Sequence, residues 1–176
     1  MFHSVIWFWI FAAYSFWGFL LEILYARLTG GRVDRKCFLV LPLCPVYGLG
    51  AGAILLLPAW VKGSAPLLFL LGGLLATAVE YGTALFYEKV LCVSFWDYRG
   101  LPGNIQGRVC LSFSLAWGLL ALPLVYWLHP ALAPWLAGIP LPVGAAAMTT
   151  VLTDAALSGL LLRFTRSRDC LRWYAP

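Results

Sequence analysis

The chain of 176 residues is 62% hydrophobic and 11% charged, with a mean hydropathy of +0.88, against roughly 25% charged residues in an ordinary soluble domain. A water-soluble fold of this size cannot hide so much apolar side chain, and five membrane spans of about 20 residues nearly exhaust the length, leaving no room for a soluble catalytic or nucleotide-binding domain. The net charge of +5 is not a nucleic-acid footprint, because the basic residues lie between apolar runs and form no continuous face.

The first predicted helix runs from about Phe2 to Ala26; no Lys or Arg precedes it and no cleavable signal pattern is clear, so it reads as a retained span. A second span covers Phe38 to Val61, but Leu41-Pro42-Leu43-Cys44-Pro45-Val46-Tyr47-Gly48-Leu49-Gly50 cannot begin as a regular helix. An extended approach is expected there, then helix from about Pro45, since proline suits the first helical position. Further spans follow at Pro66 to Tyr87, Leu111 to Leu128 and Leu141 to Leu162, with a long loop from Glu88 to Cys110. The fold class is therefore all-α: a polytopic membrane bundle of about five transmembrane helices, the second broken at its cytoplasmic end, with residues 1–176 forming a single domain.

Charge sorting gives an orientation. Eleven of the twelve Lys and Arg fall in the first loop, the third loop and the C-terminal tail, and Lys62 is the exception. Positively charged connections stay cytoplasmic, so the N-terminus is expected outside and the C-terminus inside a cell (inner) membrane. Trp7, Trp9, Trp60, Trp127 and Trp135 then gather toward the outer interface, and Trp96, Tyr98, Trp173 and Tyr174 toward the inner one. Cys37, Cys44, Cys92, Cys110 and Cys170 are odd in number, lack CxxC spacing and fall near the cytoplasmic side, so free thiols are expected. No metal site and no cofactor are expected.

Three carboxyls lie inside apolar runs: Glu22, Glu80 and Asp154. An ionised carboxylate at mid-membrane costs at least about 2.5 to 3.5 kcal/mol unless paired or hydrated. Each lies about five to nine residues from the cytoplasmic end of its helix, roughly 8 to 14 Å deep. They thus share one level on three helices, and small residues flank each of them: Ser15 and Gly18 with Glu22, Gly73, Thr77 and Ala84 with Glu80, Ala147 and Ser158 with Asp154. Simple helix packing explains the small residues equally well; the acids point to a shared polar cavity.

Tyr47 follows the broken start of the second span, where a helix N-terminus with free backbone N–H groups is expected near Glu22 and Glu80. The long loop adds Glu88, Trp96, Asp97, Tyr98, Asn104 and Arg108, with Asp97, Asn104 and Arg108 expected over the cavity mouth, and Arg35 and Arg108 available as counter-ions for the acids. An amphipathic surface segment is the simpler alternative for that loop. Glu22, a basic loop and Pro45-Val46-Tyr47-Gly48 also echo Glu80, a basic loop and Leu115-Ala116-Trp117-Gly118, the pattern of two parallel helical hairpins followed by a fifth helix.

Between Tyr14 and Gly118 the chain resembles a family of bacterial membrane proteins labelled ABC-transporter type IV, or CmpB-like, to which a vertebrate multi-pass family is also similar. The resemblance rests on Ser15-Phe16-Trp17-Gly18 with Glu22 and Tyr25, on Arg35 ahead of Cys44-Pro45-Val46-Tyr47-Gly48, on Glu80 and Glu88, on Trp96-Asp97-Tyr98, and on Asn104-Ile105-Gln106-Gly107-Arg108-Val109-Cys110-Leu111. It departs at Leu41, where the family favours Gly, and at Asp34, where Asn is frequent. The label implies a permease, although nothing in the sequence supplies an ATPase or a coupling helix.

Three functions remain open from the sequence. The first is permease-type translocation of a small solute or ion through a polar cavity opening to the cytoplasm, with Glu22 and Glu80 as its binding carboxylates. The second is an intramembrane enzyme acting on a lipid or phosphate-bearing amphiphile, with Arg35 and Arg108 binding phosphate. The third is a non-catalytic membrane subunit or scaffold. Membrane lipids are the expected partners, with a homodimer or a partner membrane subunit, and no nucleic acid.

Overall fold

A computed structural model of the chain describes residues 2–30 and 37–171, with only the backbone of residues 2–4; Arg35, one of the expected site residues, lies outside the described residues. The elements in order are α1 (Phe2–Leu28), α2 (Pro45–Leu55), α3 (Ala59–Lys62), α4 (Ala65–Val90), α5 (Leu111–Pro123), a π-helical turn (Leu124–Leu128), α6 (His129–Ala137), α7 (Leu141–Thr165) and a 3-10 turn (Arg168–Leu171). Four stretches are long and apolar enough to cross a membrane: Val5–Leu28, Ala65–Val90, Leu111–Ala137 and Leu141–Thr165. With the shorter apolar α2 they make an all-helical membrane bundle.

The expected second span is not continuous. Cys44 is extended (φ −106°, ψ 94°), Pro45 opens α2 and α2 ends at Leu55. Its 11 residues rise only about 16 Å, half a hydrocarbon core of about 30 Å. Pro58 then separates it from α3, because a proline has no N–H to continue the ladder. The approach segment, residues 37–44, is held from two sides. Asp154 of α7 accepts the backbone N–H groups of Val40 (3.1 Å) and Leu41 (2.8 Å), and Ser15 of α1 gives its carbonyl to the Cys44 N–H at 2.9 Å.

Cys37 and Cys44 are joined by a disulfide, which corrects the expectation of five free thiols. The chain doubles back through Leu41 and Leu43, whose backbones hydrogen-bond, and this brings the two Cα atoms to 5.0 Å, inside disulfide range. Spacing in sequence gave no sign of that reversal. Cys92, Cys110 and Cys170 are free.

The fourth span also runs past its expected end at Leu128. Pro123 sits inside the helix, and the ladder answers its missing N–H by widening into the π-helical turn before continuing to Ala137. His129, just beyond, receives or gives a 3.0 Å hydrogen bond at Nδ1 with the Tyr14 hydroxyl, tying that turn to α1.

The core is built from two hairpins. α1 pairs with α2, α4 pairs with α5, and α2 packs on α4 to join them. At each pairing a glycine of the second helix meets a backbone carbonyl of the first. A Cβ on Gly48 would stand 2.4 Å from the Phe11 carbonyl and 2.3 Å from Ser15 Oγ; one on Gly118 would stand 2.7 Å from the Phe69 carbonyl. Phe11, Ser15 and Glu22 correspond to Phe69, Gly73 and Glu80 at one constant spacing, and Cys44, Tyr47 and Gly48 to Ser114, Trp117 and Gly118 at another. The repeat expected from Glu22 and Glu80 is thus visible in the packing: equivalent glycines meet equivalent carbonyls. Ile10, Tyr14, Val46, Ala51, Ile54, Leu68, Ala76, Trp117, Ala121 and Leu124 fill the shared core, while α7 adds a second cluster where Leu162 meets Tyr87, Leu91, Val93 and Phe95.

Candidate functional site: a two-carboxylate aromatic cavity

Between the hairpins lies a cavity of about 390 Å³ lined by Glu22, Tyr25, Tyr47, Glu80, Trp96, Tyr98, Phe113 and Trp117, with Leu21, Cys44, Val46, Leu101, Ala116 and Leu120. The helical periodicity of α1 explains the first wall. Ser15, Gly18, Glu22 and Tyr25 fall on one face at spacings of three and four, Ser15 is buried, and Gly18 presses against the Tyr47 ring. On α4 the same periodicity turns Gly73, Glu80, Ala84 and Tyr87 inward, and Glu80 is 4% exposed.

Each carboxylate is held by the aromatic residue of its own hairpin at the same repeat position. Tyr47 donates its hydroxyl to Glu22 Oε1 at 2.8 Å, and Trp117 donates its indole N–H to Glu80 Oε2 at 3.0 Å. The two aromatic rings then meet each other, 4.9 Å between centroids, where the hairpins join. Glu80 receives one more donor, the Tyr98 hydroxyl at 3.0 Å on Oε1. Burial first, then the Glu80 carboxylate, pushes the Tyr98 phenol well above its ordinary range, so it remains a protonated donor. Among the described residues no Lys or Arg forms an ion pair with Glu22 or Glu80.

The loop 91–110 delivers Trp96 and Tyr98 to the cavity. Leu91, Val93 and Phe95 are buried against the end of α4 and against α7, so the segment folds back on the helices. Tyr98 N–H bonds the Gly107 carbonyl at 2.8 Å, and Trp96 donates its indole N–H to the Arg108 carbonyl at 2.8 Å. The return needs left-handed backbone at Gly103 (φ 65°) and Gly107 (φ 73°), and at Gly107 a Cβ would also strike Asp97 Oδ1 and the Arg99 side chain at 2.7 Å.

Several expected residues build this loop and its anchors. Asn104 donates to the carbonyls of Arg99 (3.2 Å) and Leu101 (3.0 Å) and accepts the Gly107 N–H at 3.3 Å. Asp97 faces Arg99, with 2.8 Å between their charged atoms, and the Arg99 hydrogen bonds hold its carboxyl below the usual Asp range. Arg108 is committed to Glu88: Nε and Nη2 both reach Oε2, at 2.9 and 2.6 Å. Its guanidinium lies over the Tyr81 ring and also bonds the Tyr81 hydroxyl and Gln106. The expectation that Arg108 neutralises Glu22 or Glu80 is therefore corrected, because Glu88, two turns along α4, takes it first. Asp154 does not line the cavity either; it caps the 37–44 segment and accepts from Ser158 at 3.0 Å. Phe113 carries no sequence signal for its place here, and Trp117 is signalled by its repeat partner Tyr47.

A helical bundle of apolar, membrane-length helices with two acids in an aromatic cavity between repeated hairpins defines a polytopic membrane protein. The chain belongs to the family described as "Putative ABC-transporter type IV", whose model matches residues 9–158. That span takes in both hairpins and most of α7. Neither the curated proteins nor the solved structures yield a match.

Proposed function

We propose that the protein is a permease-type translocator of a small solute, with Glu22 and Glu80 as the carboxylates that bind it. The observation that carries this reading is the cavity itself: two acids, one from each repeated hairpin, line a single space and no basic side chain of the described residues fills it. Ionisable groups at such positions are expensive and mark solute or ion pathways, and sites at repeat interfaces are the usual arrangement in transporters. The family description is compatible with this.

The charge distribution supports an N-outside, C-inside orientation in the cell membrane, so that the cavity end of the bundle faces the cytoplasm. Lipid around the exposed Leu152, Leu157, Leu160, Leu161 and Phe164 of α7, and a homodimer or a partner membrane subunit, belong to the same proposal.

Proteoliposomes loaded with radiolabelled members of four solute classes (an amine, an amino acid, a sugar and inorganic phosphate) test the function. At least one is expected to leave faster than from empty vesicles, and to lose that advantage with Glu22→Gln or Glu80→Gln. A full panel retained as in empty vesicles overturns the translocator reading.

A further inference from the structure

We infer that the cavity takes an organic ammonium cation, an alkylated nitrogen with an apolar body, an inference that rests on the cavity being the solute site. Six of its lining residues are aromatic and two are carboxylates, and no Lys or Arg lines it among the described residues. That combination rejects anions by charge.

Mg²⁺ and Ca²⁺ take about six or more oxygen ligands, shared between protein and water. The described residues hold no group of three metal-binding side chains, and the walls between the two acids are rings. Those rings are arranged for a cation with an organic surface. Tyr98 stacks on Phe113 at 4.8 Å with an interplanar angle of 20°, and Tyr25 meets Phe113 edge to face at 6.0 Å. Tyr47 and Trp117, also in the lining, pack at 4.9 Å.

Aromatic faces attract a cation through their quadrupole without asking it to donate a hydrogen bond, which is how quaternary ammonium groups are recognised. The acids supply negative charge when ionised, and the phenols and the indole keep them in place. At about 390 Å³ the space is within the range of small-molecule sites and admits a cation with several carbons around its nitrogen. Half-buried Tyr98 and exposed Tyr25, Leu101 and Leu120 leave a side open for its arrival.

Titration calorimetry on the purified full-length protein in detergent tests the class. The probes are tetraethylammonium, choline and 3,3-dimethylbutan-1-ol, which replaces the choline nitrogen by carbon and removes the charge; Mg²⁺ and inorganic phosphate complete the set. The two ammonium ions are expected to bind, with the neutral alcohol at least about tenfold weaker. Tyr98→Leu should weaken ammonium binding by about tenfold, while Tyr98→Phe, which keeps the ring, should stay within about threefold. Thermal melting of each variant, with Tyr98→Phe as the folded control, separates lost binding from lost fold. Equal binding of choline and its neutral isostere, or binding of Mg²⁺ or phosphate with no ammonium binding, overturns the inference. Ammonium binding without any ammonium flux in vesicles supports the ligand class and removes the translocator reading. Carboxylate-dependent flux of another solute class with no ammonium binding does the reverse.

Discussion

Gly48 provides a sharp internal test of the hairpin packing, because three glycines of one short helix meet very different surroundings. In Gly48→Ala the new Cβ would lie 2.3 Å from Ser15 Oγ and 2.4 Å from the Phe11 carbonyl. The carbonyl belongs to the α1 ladder and cannot rotate away, so α2 must retreat. Overpacking of this kind costs about 1–3 kcal/mol. At Gly52 nothing lies within 4 Å, and at Gly50 only the Ala76 methyl approaches, at 3.9 Å. There the substitution leaves packing untouched and gains up to about 1 kcal/mol by restricting the unfolded chain and favouring helix. The same helix gain applies at Gly48 and cancels between the two variants, so the expected order of stability is Gly52→Ala above the parent and Gly48→Ala below it, separated by the overpacking cost of about 1–3 kcal/mol. Denaturation in mixed detergent micelles, followed by tryptophan fluorescence, reads that order directly. Identical midpoints for the Gly48 and Gly52 variants would refute the close α1–α2 contact and with it the placement of Tyr47 beside Glu22.

Asp154→Ala removes the carboxylate that accepts the N–H groups of Val40 and Leu41, two hydrogen bonds to a charged group, and should destabilise the protein by about 1–3 kcal/mol, with amide exchange accelerating in residues 38–44 and ammonium binding less affected than stability; slow exchange there would contradict its capping role. Arg108→Lys keeps the charge but loses the two-nitrogen grip on Glu88 and the stacking on Tyr81, so a lower melting temperature is expected, and no change would show the pair to be incidental. For Asp97 the carboxyl is held low by Arg99, so its contribution is complete above the ordinary Asp value of about 3.9 and disappears only as pH falls through the lowered value. Arg99→Gln should return its titration, followed by carboxyl NMR, to the ordinary range. Reduction of the Cys37–Cys44 bridge, or Cys37→Ser, is expected to loosen the start of α2 and raise proteolysis near residues 37–44, without altering the α4–α5 hairpin.

The parts of this fold that were legible in the sequence are those governed by periodicity and by proline. Apolar runs gave the long helices, Pro45 gave the start of α2, and the spacing of Ser15, Gly18, Glu22 and Tyr25 gave the cavity face of α1. The short echo around Tyr47 and Trp117 gave the repeat, because equivalent residues perform equivalent tasks. What stayed hidden depends on contacts between distant segments. Asp154 looked like a third cavity acid because its depth matched, yet depth does not report rotation toward the 37–44 segment. Arg108 looked like a counter-ion for Glu22 or Glu80, but the nearer competitor was Glu88, which only the fold of the loop brings within reach. The π-helical turn after Pro123 replaced an expected helix end, since one missing N–H can be absorbed when the following residues remain apolar and helical.

The different donors at the repeat positions have a further consequence. Two separate hairpins assembling as identical copies would have to carry the same residue beside both acids. Joined in one chain through α3, they are released from that constraint. At the repeat position Glu22 has a phenol, which can turn about its C–O bond and also accept a hydrogen bond, whereas Glu80 has there an indole that can only donate. The donor that α2 brings can therefore change its hydrogen-bonding role while the one from α5 cannot, and on the Glu80 side that freedom falls to Tyr98 of the loop.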